Sequence, residues 1–330
     1  MTGARLLVSR LVPSAAFVLG LAVAVILTLH SGLGAVAQAL RAIGWARLAG
    51  VCALQAGALA LCAVAWWLVA GGPPLWACLL ARWIRDGASN LLSFVPALGE
   101  AMASRTLGVI GGVDQGQSAA STIADAAIES MAQAIYTLIG LIMLLHALRS
   151  GDAPRWIGIV AVALVPLALL CVVSSHAGAL GLAERLLGRL LRLLGFRPIR
   201  FADAVQAIFR RRAQALLSLA VHLLAWAFGA AQVWLAAQAL GRPLDFAAAL
   251  ALESLVYVAR SAFFLVPWAA GVQEGGFLLV GGALGLEPSS AIALSFVLRA
   301  RDVLLGAPGI VLWSVVEGRV KLRRGRSMAA

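Results

Sequence analysis

The chain has 330 residues, of which 62% are hydrophobic and only 12% are charged. A soluble globular protein is nearer half apolar and a quarter charged, so this composition excludes a soluble domain and indicates a polytopic membrane protein. The formal net charge is +12, yet the apolar segments, apart from the residues at their ends, together hold six arginines and seven acidic residues. The positive excess therefore lies in loops and ends, which favours contact with anionic lipid headgroups over nucleic acid.

Six segments are apolar and long enough, at about 20 residues, to cross a bilayer as helices. In chain order they are residues 11–30, 46–70, 117–147, 155–176, 214–240 and 288–317. We therefore expect an all-α polytopic membrane protein with about six full transmembrane helices.

Two further apolar regions, residues 74–111 and 244–286, are interrupted. The first contains Pro96 and Gly99, and the second contains Pro267 and Gly271. Each region predicts two half-length helices around a break, which is a re-entrant broken-helix hairpin. Broken backbone at membrane depth is tolerated only where protein or a water-filled cavity surrounds it.

The same order of proline, glycine and acid occurs at both breaks. The acids are Glu100 and Glu274, which lie 174 positions apart, and a second acidic pair, Glu129 and Asp302, lies 173 positions apart. This constant offset predicts a duplication. Repeats that meet at broken helices are typical of transporters, where the breaks form a binding site near the bilayer midplane.

The basic residues predict the topology of a single membrane domain, 1–330. They concentrate in a connector with leucines at helical spacing, 177–213, and in the tail, 318–330. The positive-inside rule makes both cytoplasmic, with the N-terminus on the same side, and the connector is typical of a helix along the membrane surface. An odd number of spans separates the starts of the two repeats, 46–147 and 214–317, so we expect inverted repeats.

Charged groups inside apolar segments are costly, and they either mark a transport pathway or pair with one another. We take eleven of them, with one glutamine, as candidates for a substrate pathway: Arg82, Arg85, Glu100, Arg105, Asp125, Glu129, Arg260, Gln273, Glu274, Arg299, Arg301 and Asp302. Arginine binds phosphate through two parallel hydrogen bonds, which suits a polar headgroup. The sequence equally allows a structural ion-pair network, and this alternative stays open.

Glu100 and Glu274 also have two interpretations. Each follows its break, so each is predicted near the start of a short helix, where unpaired N–H groups favour an acid as a cap. The alternative is a functional carboxylate, either a gate or a group that carries a proton.

Signals for catalysis or metal binding are weak. The chain contains no G-x-S-x-G, P-loop or H-E-x-x-H motif, no C-x-x-C pair, and only four scattered histidines. We expect no enzyme activity, no cofactor and no metal. Trp66 and Trp67 are typical of an aromatic belt at the membrane interface.

Several motifs resemble a known family. They are Ala81-Arg82-Trp83-Ile84-Arg85, Gly99-Glu100, Gly271-Val272-Gln273-Glu274-Gly275-Gly276 and the run from Arg299 to Asp302. The chain resembles the flippase-like membrane family that includes the transmembrane part of lysylphosphatidylglycerol synthases, and it is most similar to the hopanoid-biosynthesis-associated branch. The resemblance implies a bacterial inner-membrane protein that moves or handles lipids, with hopanoids as candidate cargo. It does not imply lipid lysylation, because the sequence shows no soluble aminoacyl-transferase domain.

We therefore expect a lipid translocase for a hopanoid or a phospholipid. The alternatives are a non-transporting scaffold of hopanoid or lipid biosynthesis and a secondary transporter of a small polar solute. The expected partners are membrane lipids, with lipid-biosynthesis proteins as further candidates, and the sequence does not indicate an oligomeric state. The interval from Pro96 to Glu100 is three residues shorter than that from Pro267 to Glu274, so we expect the two breaks to differ in shape.

Overall fold

The computed structural model describes residues 41–92, 97–148, 153–193, 202–263 and 266–329, and within these ranges the regular secondary structure is helical. The helices used below are α1 (Trp45–Ala70), α2 (Leu75–Leu91), α3 (Leu98–Ile110), α4 (Gln115–Ala147), α5 (Ala153–Ser175), α6 (Ala177–Leu193), α7 (Ala202–Arg210), α8 (Arg212–Ala239), α9 (Phe246–Ala262), α10 (Val272–Ala283) and α11 (Pro288–Ala329).

Three helices, α1, α4 and α8, are long and apolar enough to cross a membrane. They coincide with the predicted spans 46–70, 117–147 and 214–240, because the apolar run sets the length of each helix. The predicted spans 155–176 and 288–317 are helical as α5 and α11. The predicted span 11–30 lies outside the described residues, so the count of six spans stays a prediction.

The basic tail, residues 318–330, is not separate from the last predicted span. α11 continues without interruption to Ala329, although it contains Pro308. The boundary at residue 317 was predicted because the apolar residues end there. A change from apolar to polar side chains does not interrupt the backbone hydrogen bonds of a helix.

Each interrupted region forms two helices around a break, as predicted. α3 begins after Ala97, whose φ is 58°, and α10 begins after Gly271, whose φ is 78°. Both residues have a positive φ and lie 174 positions apart, although ψ is 15° at Ala97 and −33° at Gly271. α2 packs against α3, and α9 packs against α10, so each pair forms a helical hairpin. Pro96 lies outside the described residues.

The principal helix contacts are kept when the two halves of the chain are exchanged, although the contact of α3 with α11 has no counterpart of that extent between α10 and α4. α1 packs against α8, α2 packs against α11, and α9 packs against α4. Small residues allow the two hairpin contacts to be close. A Cβ on Gly87 would lie 2.5 Å from the carbonyl oxygen of Gly306, and one on Gly140 would lie 1.8 Å from the hydroxyl of Ser254.

The two hairpins pack into different apolar clusters, at opposite ends of α1. One cluster joins the end of α1, at Trp66 and Val69, to α2, α3 and the start of α4. The other joins the start of α1, at Leu48 and Val51, to the end of α8 with α9, α10 and α11. One hairpin therefore lies at each end of the bundle.

The connector consists of two helices, α6 and α7, where the sequence predicted one surface element. Leu180, Val205 and Ile208 are buried in the cluster that holds the first hairpin. Leu182 and Leu186 on α6 remain exposed. The connector thus docks against one end of the bundle and leaves a leucine face outside.

The aromatic-belt prediction is wrong for Trp66. Its side chain is fully buried, and its indole nitrogen donates a hydrogen bond to Ser121 at 3.2 Å. Neighbouring residues on a helix point about 100° apart, so Trp67 faces outward and is 43% exposed.

Candidate functional site

Two arginines of α2 meet two acids of α4 in the first half of the chain. Arg82 and Arg85 are three positions apart on one helix face, and Asp125 and Glu129 are four positions apart on the other. Arg82 donates two parallel hydrogen bonds to the carboxylate of Glu129, with N···O distances of 2.9 and 2.6 Å. Arg85 lies 2.8 Å from Asp125 and 3.0 Å from Glu129. The helix packing therefore builds a buried four-membered ion network.

Three further groups extend this network. Asp86 lies 2.8 Å from Arg82, one helical turn away. The buried ring of His222 on α8 places Nε2 3.1 Å from Asp125. Glu100, in the first turn of α3, contacts Arg85 at 3.3 Å. Among the described residues, the first break is thus tied to the network through one long contact.

A different arginine holds the second break. Arg299 on α11 donates two hydrogen bonds to Glu274 and one each to the carbonyl oxygens of Trp268, at 2.9 Å, and Ala269, at 3.3 Å. Its guanidinium also lies 4.7 Å from the Trp268 ring centroid. Glu274 in turn accepts the backbone N–H of Gly271 at 2.9 Å. Glu274 therefore caps α10, as one of its two interpretations predicted, and it is also paired with Arg299. Its interpretation as a gate or a proton-carrying group stays a prediction.

The third group of charges surrounds Asp302. Arg301 donates to Asp302 at 2.6 and 3.0 Å and to Gln232. Arg260 contacts Asp302 only at 3.5 Å and the Asn90 side chain only at 3.4 Å. Of the arginines in these three groups, Arg260 has the longest contacts. It is therefore the guanidinium that a ligand would displace at the lowest cost.

The two breaks face each other across a cavity of about 220 Å³, which we call the central cavity. Its walls come from both halves of the chain. Its lining residues are Ser89, Asn90, Ala97, Leu98, Gly99, Glu100, Tyr257, Arg260, Ser261, Phe263, Val266, Trp268 and Ala269. Aromatic and apolar groups thus surround a few polar groups, as in small-molecule sites generally.

A second cavity of about 100 Å³, the inner cavity, adjoins the first. The two share Ser89, Asn90, Tyr257 and Arg260 in their walls. The other charged residues of the inner cavity are Arg82, Asp86, Glu129, Glu253, Arg301 and Asp302. A polar space therefore extends from between the breaks into the middle of the bundle.

The candidate pathway residues fall into three sets. Those that line a cavity are Arg82, Glu100, Glu129, Arg260, Arg301 and Asp302. Those that lie behind the walls and hold them are Arg85, Asp125, Gln273, Glu274 and Arg299. Arg105 belongs to neither set. It donates two hydrogen bonds to the Glu317 carboxylate, and this pair joins α3 to α11.

The predicted break residues also differ in position. Gly99 lines the central cavity, and a Cβ there would lie 2.1 Å from the Ser89 hydroxyl. Gly271 instead begins α10, and Pro267 lies in the short turn Pro267–Ala269.

Sequence reasoning missed several residues of the site, among them Asp86 and Glu253 in the wall of the inner cavity. Asn90 and Tyr257 also occur in motifs that resemble the family but received no role, and His222 was counted only among the four scattered histidines. His222 lies in the middle of the predicted span 214–240, and a titratable group at that depth is a signal of a polar partner. Asn90 and Tyr257 gave no such signal, because both residue types are also common at helix ends.

Cys62, Glu129 and His222 bring three potential metal-ligand atoms within 4.8 Å of one another. The surroundings do not suit a metal ion. Glu129 is already bonded to two arginines, and His222 to Asp125. A divalent cation would be repelled by both guanidinium groups, so the residues do not fit such a site.

A family model described as lysylphosphatidylglycerol synthase TM region matches residues 16–309. The chain belongs to this family. Every residue that lines the two cavities lies inside the matched range. Membership of the lysylphosphatidylglycerol synthase TM region family, together with the three long apolar helices, makes this a membrane protein of a lipid-related family. No curated protein and no solved structure matches the chain.

Proposed function

We propose that this protein is a lipid translocase of the bacterial inner membrane, which moves a polar-headed lipid while the acyl or hopanoid tail stays in the bilayer. The observation that carries the proposal is the central cavity between the two breaks, with Arg260 in its wall. Non-helical backbone at membrane depth is tolerated where it lines such a cavity. The lipid-related family supports the choice of cargo.

Arg260 is the proposed headgroup contact. It lines both cavities, its contacts to Asn90 and Asp302 are 3.4 and 3.5 Å long, and it lies 5.5 Å from the Tyr257 ring centroid. A loosely held guanidinium loses little when a phosphate replaces its present partners. This favours an anionic phospholipid headgroup, while a neutral hopanoid polyol would use Asn90 and Ser89 as hydrogen-bonding groups.

The proposed topology is a pair of inverted repeats, 46–147 and 214–317, with both termini in the cytoplasm. The exchangeable helix contacts and the position of one hairpin in each end cluster support it. The connector docks on the first hairpin's end, and its basic residues assign that end to the cytoplasm.

Cysteine labelling tests this topology. In a chain whose four native cysteines are replaced, Val109→Cys at the end of α3 should label from the cytoplasmic side. Phe246→Cys at the start of α9 should label from the opposite side. Both positions are exposed. Labelling of both from one side would refute the inverted arrangement.

Reconstitution in liposomes tests the function. Purified protein should move tail-labelled phosphatidylglycerol, or a hopanoid polyol, between leaflets faster than protein-free liposomes do. Arg260→Gln should slow phosphatidylglycerol movement at least about tenfold, because hydrogen bonds to charged groups are worth about 1.5–3 kcal/mol. Arg242→Gln is the matched control, since Arg242 pairs with Glu287 in an exposed loop.

The competing function is a non-transporting scaffold for lipid-biosynthesis proteins, and the extent of ion pairing favours it as the second candidate. In that case no lipid would move faster than in empty liposomes, and Arg260→Gln would leave the scaffold's activity unchanged in a folded protein. Movement of a small polar solute without lipid movement would instead indicate a secondary transporter.

A further inference from the structure

One acid of the bundle differs from the rest. The sequence places seven acidic residues in apolar segments, and six of them have an arginine nitrogen within ion-pairing distance: Asp86, Glu100, Asp125, Glu129, Glu274 and Asp302. The seventh is Glu253 on α9. Among the described residues no arginine forms an ion pair with it, and its Oε2 atom is buried without a hydrogen-bond partner.

Glu253 lies in the wall of the inner cavity. On the α8 side it packs against Gly229, where a Cβ would lie 2.8 Å from Oε1. On the α4 side it faces the hydroxyl of Tyr136, a neutral group that interacts with the carboxyl group electrostatically and as a hydrogen-bonding neighbour. The carboxyl group is thus held by neutral groups on two neighbouring helices.

The cations that face Glu253 are both engaged elsewhere. Arg301 on α11 donates to Asp302 and Gln232, and Arg260 on α9 itself contacts Asp302 and Asn90. Glu129 and Asp302 face the same cavity and carry negative charge.

The remaining neighbours of α9 do not supply a partner. The charged residues of α5 and α10 are Arg155 and Glu274, and neither lines the inner cavity. His222 on α8 is bonded to Asp125. From the far walls, Arg82 and Asp86 pair with each other.

We propose that Glu253 is a proton-binding site that couples lipid movement to the proton gradient across the membrane. The inference rests on the proposed translocase function and gives it an energy source. An unpaired carboxylate away from water is more stable when protonated, whereas a carboxylate paired with arginine is not. Glu100 and Glu274, the acids at the breaks, would first have to lose their ion pairs before they could bind a proton.

The coupling follows from the shared cation. A proton enters from water in the open cavity and binds a Glu253 carboxylate oxygen, which leaves Arg260 with Asp302 and Asn90. When the same proton leaves to the other side, the carboxylate becomes negative and competes with Asp302 for Arg260. The headgroup contact and the proton site therefore influence each other through one guanidinium, and one proton is bound and released in each cycle.

The test uses the full chain in phosphatidylcholine liposomes that contain a trace of tail-labelled phosphatidylglycerol. A gradient of one pH unit is imposed, and the leaflet distribution at steady state is measured. If one proton moves per lipid, the wild-type protein should give up to about a tenfold leaflet excess, because one pH unit is a tenfold difference in proton activity. The excess should reverse with the gradient.

The variants separate coupling from folding. Glu253→Gln should move lipid without any response to the gradient, and Glu253→Asp, which keeps a titratable group, should retain the response. Glu287→Gln, in an exposed loop pair, is the matched control and should respond as wild type does. Elution as a monodisperse species in detergent checks that each variant is folded, and an internal pH dye gives a second readout of proton movement.

The outcomes distinguish the two proposals. Lipid that moves at the same rate and to the same distribution with and without the gradient overturns the coupling and leaves the translocase function intact. A gradient response that survives in Glu253→Gln overturns the assignment of the site. If no lipid moves in any sample, the translocase function fails and the coupling fails with it.

Discussion

The two breaks occupy equivalent places in the chain but are held very differently. At the first, Glu100 has a side chain that is 35% exposed and a single contact of 3.3 Å to Arg85. At the second, Glu274 is 19% exposed and receives two hydrogen bonds from Arg299, which also binds two backbone carbonyl groups of the turn. The two hairpins are therefore alike in their helices, while the contacts that hold their breaks differ.

The charges also have opposite origins in the two halves. In the first half the arginines lie on the hairpin helix α2 and the acids on the long helix α4. In the second half Arg299, which holds the break, lies on the long helix α11, and its partner Glu274 lies on the hairpin helix α10. We infer that the second break is held more firmly than the first, although α2 of the first hairpin is itself anchored to α4 by the ion network.

The largest expected effect comes from the first half's ion network. Arg82→Gln should lower the free energy of unfolding by about 3–5 kcal/mol, because it leaves Glu129 and Asp86 buried with less compensating charge. Arg105→Gln is the control and should cost about 0–1 kcal/mol, since its side chain is 42% exposed. Unfolding by denaturant in detergent measures both, and equal midpoints would contradict the buried network.

The two break acids provide the direct comparison. Glu274→Gln should destabilise the protein by about 1.5–3 kcal/mol, because it weakens hydrogen bonds to a buried guanidinium. Glu100→Gln should cost about 0–1 kcal/mol, as expected for a partly exposed pair. The same unfolding experiment tests this difference. A greater loss of unfolding free energy for Glu100→Gln would mean that the first break is held more firmly than the second.

The glycine contacts test how closely each hairpin is packed. Gly87→Ala should cost about 1–3 kcal/mol, because its Cβ would meet the backbone of Gly306, which cannot rotate away. Gly140→Ala should cost about 0.5–1.5 kcal/mol, because the Ser254 hydroxyl it meets can change rotamer. Gly158→Ala on α5 is the control, with nothing within 4 Å of the added Cβ, and should not destabilise.

The smallest effect concerns local opening. The Gly271 amide, bonded to Glu274, should exchange with deuterium about tenfold more slowly than the Ala97 amide, a difference of about 1.4 kcal/mol. Mass spectrometry of peptides that cover each break measures this. Arg299→Gln should remove most of the difference, and its persistence would mean that the turn itself, not the arginine, fixes the second break.

Much of the fold was predictable because helix length and breaks are local properties. The predicted spans 46–70 and 117–147 differ from α1 and α4 by one or two residues at their starts. At the start of α4 the difference arises because Asp114 caps the helix through the Gly116 amide, before the apolar run begins.

The pairing of the charges was not predictable, because it depends on which helices meet. Arg299 and Asp302 share a helix face at three positions' spacing, yet Arg299 bonds to Glu274 and Asp302 to Arg301. The unpaired state of Glu253 was equally hidden, since a list of charges does not tell which acid lacks a cation. Only the packing of α9 against Gly229 and Tyr136 reveals it.

The buried ion pairs of arginine with acid also bear on how the chain enters the membrane during synthesis. Arg82 and Arg85 pair with acids of the first half, and Arg299 and Arg301 pair with acids of the second. These four arginines can therefore be neutralised within their own half as it is inserted, whereas Arg105 pairs with Glu317 of the other half. The cavity, whose walls Asn90 and Arg260 join across 170 positions, then forms last, when the two halves dock.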